Sequence, residues 1–199
     1  MGQVPILYLD ANILLPEYLR SCFLDLAHAG LAHVHWGPQV LVEVERNLLK
    51  PRFGQSAATI QKLFRNMARA FPDALVQGSR RYETQFAGKT DAKDQHVAAG
   101  ALKLSKAVYG GQPVVLVTSN MRDLPQAAFA GTTVRSARPN LVLKEMLAVN
   151  PEVATALEQM LVRFKAPPMT KEDLLAVLDA SSCSEFAIEL ARAWGMVAE

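Results

Sequence analysis

The chain has 199 residues, half of them hydrophobic and a fifth charged, with a formal net charge of +2. It can bury a sizeable core and reads as globular, at a length that fits one domain with an appendage or two small ones. The near-neutral balance excludes a strong global field for nucleic acid, and no uninterrupted apolar segment approaches the ~18 residues a membrane span needs.

In chain order, "PILYL" at 5–9 is a short apolar β-prone run that ends in Asp10. "LRSCFLDLAHAG" (19–30) has helical spacing and stops at Gly30. "AHVHWG" reads as a second strand, and "GPQVLVEVERNLLK" starts a helix just after Gly37-Pro38. "SAATIQKLFRNMARAF" (56–71) is an amphipathic helix, and "ALVQG" is expected as a third strand. "TDAKDQHVAAGALKLSKA" (90–107) makes the next helix. "QPVVLVTSN" (112–120), apolar and rich in valine, is the best strand in the chain, and "TTVRSA" is expected as a last edge strand. Strands that alternate with helices and are apolar on both faces imply a parallel sheet covered by helices. Ligands in such sheets bind outside the carboxyl ends of the strands, which places Asp10 and "TSNMRD" on one rim.

After about residue 139 the pattern becomes helical, in "NLVLKEMLAVN", "NPEVATALEQMLVRF" and "TKEDLLAVLDASSCSEFAIELARAWG", with Asn150-Pro151 and Thr170 as start signals. The expected organisation is a domain over 1–140 and a helical extension over 141–199. Between Arg46 and Arg81 eight Lys or Arg face a single acid, Asp73. This is a local basic sector or a solvated helical face. Cys22 and Cys183 fit no metal-ligand spacing and are expected as reduced thiols. The direct entry into a strand, without a charged leader or cleavage site, is expected of a soluble cytoplasmic protein.

Asp10, Glu43, Asp94 and Asp123 all fall at strand ends or in the first turns of helices, where this architecture converges its loops. Each has a simpler reading. Asp91 can be a helix cap with Asp94 in the first turn; Glu43 can pair with Arg46 or Asn47 across a turn; Asp123 can begin the turn before Pro125. Together they raise a different possibility. Two carboxylates ~4 Å apart repel by ~4 kcal/mol at an effective dielectric near 20, so a cluster needs protons or a cation. All-oxygen clusters suit Mg²⁺ or Mn²⁺, which activate water and steady the leaving oxygen of a phosphodiester.

These residues carry a resemblance. "YLDANILL", "VLVEVERNLL", "DAKDQHVAAGAL" and "VTSNMRDLP" resemble, in order and at plausible spacing, the four blocks of PIN-domain ribonucleases. They are most similar to the VapC-like toxin branch, whose last block reads T-x-N-x-x-D. The resemblance covers about residues 4–140, and the extension is similar to the helical tail of some members. It implies a PIN-like α/β fold, a parallel sheet flanked by helices, and Mg²⁺- or Mn²⁺-dependent endoribonuclease activity. It makes Asp10, Glu43 and Asp94 the first three acids, with Asn12 beside the first. Many members carry an acid where this chain has Asn120, so Asp123 is assigned the fourth position, with Asn120 and Thr118 in support. Asp91 is assigned a capping or outer role. Arg46, Lys50 and Arg52 are candidates to hold the RNA backbone, with Arg65 or Arg69 beyond them.

The toxin likeness also implies a small antitoxin that blocks the acidic cleft, and a homodimer for which the apolar faces of 56–71 and 151–164 are candidates. His96, next but one to Asp94, is expected to face elsewhere on its helix. His28, His33 and His35 fit no zinc spacing, and Trp36 is expected as a buried aromatic rather than a base-stacking platform. Two rival readings remain. A haloacid-dehalogenase-like phosphatase fits "LDAN" and "VVLVTSN", but Asn12 stands where its general acid belongs. The other is a non-catalytic binding module on the same fold.

Overall fold

A computed structural model describes residues 3–165 and 167–196. β1 (Ile6–Leu9) is buried along its whole length, and it lies second in a four-stranded sheet of order β2-β1-β3-β4. Its neighbours are β2 (His33–His35) and β3 (Val114–Val117), and β4 (Val134–Ala137) forms the far edge. Every pairing is parallel, with Leu7 opposite both Val34 and Val115. A strand covered on both faces must be apolar at successive positions rather than alternating, and "ILYL" and "VVLV" satisfy that. Each fully buried Leu contributes about 1.5–3 kcal/mol, and Leu7, Leu9 and Leu116 are solvent-free.

The predicted third strand at 74–78 does not form. Leu75 makes a single bridge to Trp36, with two backbone bonds linking Trp36 to Ala74 and Val76. Beyond Val76 the chain turns at Gly78, whose φ is +65°, so the ladder has no room to extend. Trp36 is buried and meets Phe71 edge-on, with ring centroids 6.3 Å apart, in keeping with its expected core role.

The helices cover the sheet. α1 (Ala11–Leu14) is a single turn, followed by α2 (Glu17–His28), α3 (Pro38–Leu48) and α4 (Ala57–Ala70). Pro38 opens α3, where its missing N–H costs nothing, and Ser56 caps α4 through the Thr59 amide at 3.1 Å. The predicted helix over 90–107 is broken into three pieces. A 3₁₀ turn (Ala92–Asp94) leads into α5 (Gln95–Lys103), and a π-turn (Leu104–Val108) ends it.

α5 buries six consecutive residues from Val97 to Leu102, and its small side chains let it approach the sheet closely. At Gly100 a Cβ would fall within 2.8 Å of the Tyr8 ring carbon Cε2 and nearer still to the hydroxyl. Glycine is what allows Tyr8, on the central strand, to sit beneath the helix.

Four further helices follow among the described residues: α6 (Pro139–Val149), α7 (Glu152–Leu161), α8 (Lys171–Ala180) and α9 (Ser184–Ala193). Thr170 and Asp173 form a reciprocal capping box at the start of α8. The segment 170–195, read as helical throughout, splits where Ser182 adopts a φ of +59°.

α7 packs on α2, and α6 and α8 both pack on α9. An Arg163–Asp25 ion pair, and a bond from Trp194 Nε1 to the Ala154 carbonyl at 3.1 Å, add polar ties. The apolar face of 151–164, a candidate dimer surface, is therefore used inside the chain: Val153, Leu157 and Met160 are buried there. On α4 only Ile60 and Met67 are buried. Among the described residues, no helix is long and apolar enough to cross a membrane.

Candidate functional site

Because all four strands run parallel, their carboxyl ends share one rim. Asp10 follows β1 directly; its amide bonds the Val117 carbonyl at 3.1 Å, extending the ladder one step and fixing the side chain at the rim. Its Oδ1 accepts from the Ala11 amide at 2.7 Å. Its Oδ2 accepts from Asn12 Nδ2 at 2.5 Å and from Thr118 Oγ1 at 2.6 Å. Burial pushes the Asp10 carboxyl up, the Glu43 charge adds to this, and the bonds from Thr118, Ala11 and Asn12 oppose it. The result is a buried carboxylate held rigidly by three donors.

Thr118 and Asn12 hold the neighbouring loop as well. Asn12 Oδ1 accepts from the Ser119 amide at 2.9 Å, and Thr118 Oγ1 accepts from the Asn120 amide at 3.0 Å. Asn120 then bridges two acids, with Nδ2 donating to Asp123 Oδ2 at 3.1 Å and to Asp94 Oδ2 at 3.3 Å. The Asn120 amide ties the Asp123 carboxylate to Asp94. The Asn120 bond, with Lys93 beside it, holds the Asp123 carboxyl below its ordinary range.

Asp91 caps the 3₁₀ turn through the Lys93 amide at 3.1 Å, and its own amide bonds the Asp123 carbonyl at 3.3 Å. That is the capping role expected of it. Lys93 Nζ stands 3.3 Å from Asp123 and 3.9 Å from Asp91.

Asp94 has few partners for its burial. Only 8% exposed, it has the Asn120 amide as its side-chain partner among the described residues. Burial pushes its carboxyl up to about 6; Lys93 pulls it down, and the charges of Asp10, Asp123 and Glu43 push it further up. Glu43, half-buried on α3, lines a pocket of about 190 Å³ together with Asp94, Arg46, Gln39, Lys93 and His96. It does not use Asn47 as a side-chain partner: Asn47 Nδ2 donates to the Glu43 backbone carbonyl, at 2.9 Å.

Among the described residues, no group of three or more His, Cys, Asp or Glu side chains is arranged so that it could hold a metal ion by itself. The four acids do share one field, which Lys93 partly neutralises and to which the Asn120 amide donates hydrogen bonds. A larger cavity of about 610 Å³ lies at the opposite rim, where Pro5 and Leu7 face Val142, Met146 and Val153.

Of the basic candidates, Arg46 lines the acidic pocket, while Lys50 and Arg52 are exposed further along. Lys50 Nζ bonds Asn47 Oδ1 at 2.6 Å, and the Arg52 guanidinium lies over the Phe53 ring at 4.8 Å.

His96 departs from expectation by lining the same pocket as Asp94 and Glu43. Asp94 lies in a 3₁₀ turn, and α5 begins only at Gln95. Lys93 was likewise missed as a group of this site. The D-x-x-D start, which reads equally as a capped helix, gives no signal of that turn.

Residues 143–192 match the family model described as the VapC50 C-terminal domain. The matched segment runs from within α6 to near the end of α9. No curated protein and no solved structure matches the chain.

Proposed function

We propose that the protein is a metal-dependent endoribonuclease of the PIN type, with residues 1–140 as the nuclease domain, 141–199 as an added helical domain, and a role as the toxin of a toxin–antitoxin pair. The observation that carries this reading is the convergence of Asp10, Asp94 and Glu43 in one field at the carboxyl rim. The Asp94 carboxyl there is pushed up to about 6 by burial and by its acidic neighbours. A site that stores unfavourable negative charge is one prepared for a cation. The likeness of 143–192 to the VapC50 C-terminal domain supports the toxin assignment.

The donor set fits Mg²⁺ or Mn²⁺. It is all oxygen, and Mg²⁺ is usually held by one or two carboxylates plus substrate phosphates rather than by an all-protein cage. Asp10 and Asp94 would hold the ion, with Glu43 and Asp123 completing the acidic surround. When bound, such an ion supplies a more acidic water and charge stabilisation at the phosphorus.

The chain's own residues prepare the rest. Thr118, Asn12 and the Ala11 amide fix the Asp10 carboxylate in one orientation, so little reorganisation remains at the moment of reaction. Asn120 holds Asp94 and Asp123 in register while leaving Asp94 lone pairs unused. Arg46 at the pocket, and the exposed Lys50 and Arg52 beyond it, would bind backbone phosphates. A cognate antitoxin would act by occupying this rim with a basic side chain.

The phosphatase alternative finds less support, because Asn12 stands where its general acid belongs. The test is cleavage of a mixed RNA pool with Mg²⁺ or Mn²⁺, against EDTA and an Asp94→Asn protein. Metal-dependent cutting lost in the variant is the expected result. Absence of cutting by folded wild type under either metal would overturn the reading and favour the non-catalytic module.

A further inference from the structure

The cavity at the amino rim lies at the other end of the sheet from the acids. Leu7 on β1 stands opposite Val115 on β3, and Val115 stands opposite Arg135 on β4. Paired residues of adjacent strands project to one face, so these three form a row across the sheet. Met146 of α6 and Val153 of α7 line the same space, which measures about 610 Å³. Its apolar lining reaches the surface: Val4, Pro5, Leu31, Val115 and Val149 stay partly open to solvent, and Val149 is 72% exposed. Ligand pockets commonly enclose about 300–1,000 Å³, with mostly apolar walls and a few polar groups that choose the occupant.

The polar groups here narrow that choice. Arg135 is spent on an ion pair with Glu145. Gln3 Nε2 donates to Gln112 Oε1 at 2.8 Å, and Asn150 Oδ1 accepts from the Glu152 amide at 3.0 Å. The amides of Ala29, Gly30 and Leu31 are bonded back to carbonyls of α2. The exposed Glu152 carboxylate, in the first turn of α7, has neither a hydrogen bond nor an ion-pair partner among the described residues. Arg135 against Glu145 and Glu152 leaves the lining with one net negative charge. An anion is therefore repelled, a neutral apolar molecule is met by the walls alone, and a cation with an apolar body is met twice.

We propose that this cavity is a binding site for a small organic amine, whose ammonium pairs with Glu152 while its apolar body lies on Val115 and Leu31 against Met146 and Val149. The site uses no residue of the acidic rim, so it stands or falls independently of the nuclease reading.

The experiment is isothermal titration calorimetry of the full chain at neutral pH with three probes that share one body: phenylbutylamine, phenylbutanol and phenylbutyrate. Wild type is expected to bind the amine about two- to fivefold more tightly than the alcohol, the worth of one exposed ion pair, and the carboxylate most weakly. Glu152→Gln is expected to bring the amine down to the level of the alcohol and to leave the alcohol unchanged. Val149→Trp, which adds bulk at an exposed lip, is expected to weaken all three.

No binding of any probe at millimolar concentration by folded wild type would overturn the proposal, and so would a wild type that binds amine and alcohol equally or prefers the carboxylate. Neither result needs a variant to fold. An amine preference that survives in folded Glu152→Gln, or binding indifferent to Val149→Trp, would overturn it as well. An acid in the first turn of α7 also suits the helix dipole; that role alone would shift the unfolding of Glu152→Gln and leave the ranking of the probes untouched.

Discussion

Replacing Asp94 by Asn should stabilise the metal-free protein while removing the activity proposed for it. The folded chain holds the Asp94 carboxyl up at about 6, against an ordinary 3.8. That shift is already net of the attraction from Lys93. An acid whose pKa is raised on folding binds protons in the folded state that the unfolded chain has released. Stability therefore falls as pH rises from about 4 to about 6, and the full cost is present above that. At about 1.4 kcal/mol per pKa unit, and allowing for some solvent screening, the charge costs about 2–3 kcal/mol at neutral pH.

Asn has nearly the same shape, and its side-chain oxygen can still accept from Asn120, so the variant should recover most of this cost. For a chain of this size the gain corresponds to about 5–10 °C in Tm. The assay is thermal unfolding of both proteins in EDTA at pH 8 and again at pH 4. The gap should be full at pH 8 and close to nil at pH 4, where wild-type Asp94 is protonated in the folded state. A variant less stable than wild type at pH 8, or a gap of the same size at both pH values, would refute the argument that Asp94 stores unfavourable charge. Added Mg²⁺ should narrow the gap by stabilising wild type alone.

Three other outcomes are expected. Gly100→Ala should cost about 1–3 kcal/mol in urea unfolding, because the new methyl meets the buried Tyr8 ring beneath it; an unchanged midpoint would show that α5 can lift off the sheet freely. Thr118→Val keeps the shape but removes the donor at 2.6 Å from Asp10 and leaves the Asn120 amide without its acceptor. It should cost about 1.5–3 kcal/mol at pH 8, with the Asp10 carboxyl, already raised by burial, pushed further up, so that the loss shrinks on acidification. Burial pushes the thiols of Cys22 and Cys183 up to about 12 and about 11, so neither should react with a thiol reagent in the native protein at pH 7, and both should react once it is unfolded.

Much of this architecture was legible because it rests on local chemistry. Apolar runs such as "ILYL" and "VVLV" can satisfy burial on two faces only inside a parallel sheet. Ser56 and Thr170 mark helix starts through bonds made within a turn of themselves, and Pro38 through the fixed φ of its ring. The order of the acids along the chain, with the sheet's single polarity, was enough to bring Asp10 and the Thr118–Asp123 loop to one rim. What escaped was set by partners distant in sequence or by backbone geometry with no residue signature. The segment at 74–78 has strand composition, yet it makes a single bridge, between Leu75 and Trp36, before the chain turns at Gly78. The apolar stripe of α7 looks like an interface until α2 is seen to cover it. Neither Asn120 as a bridge between Asp94 and Asp123, nor His96 in the pocket of Glu43, could be read from spacing. One depends on a loop anchored by Thr118 and Asn12 across more than a hundred residues, the other on a helix that starts one turn later than its sequence suggests. Sequence alone singled out the acids and the rim they occupy. Tertiary structure decided which of them touch, since a hydrogen bond depends on tenths of an ångström that no residue pattern specifies.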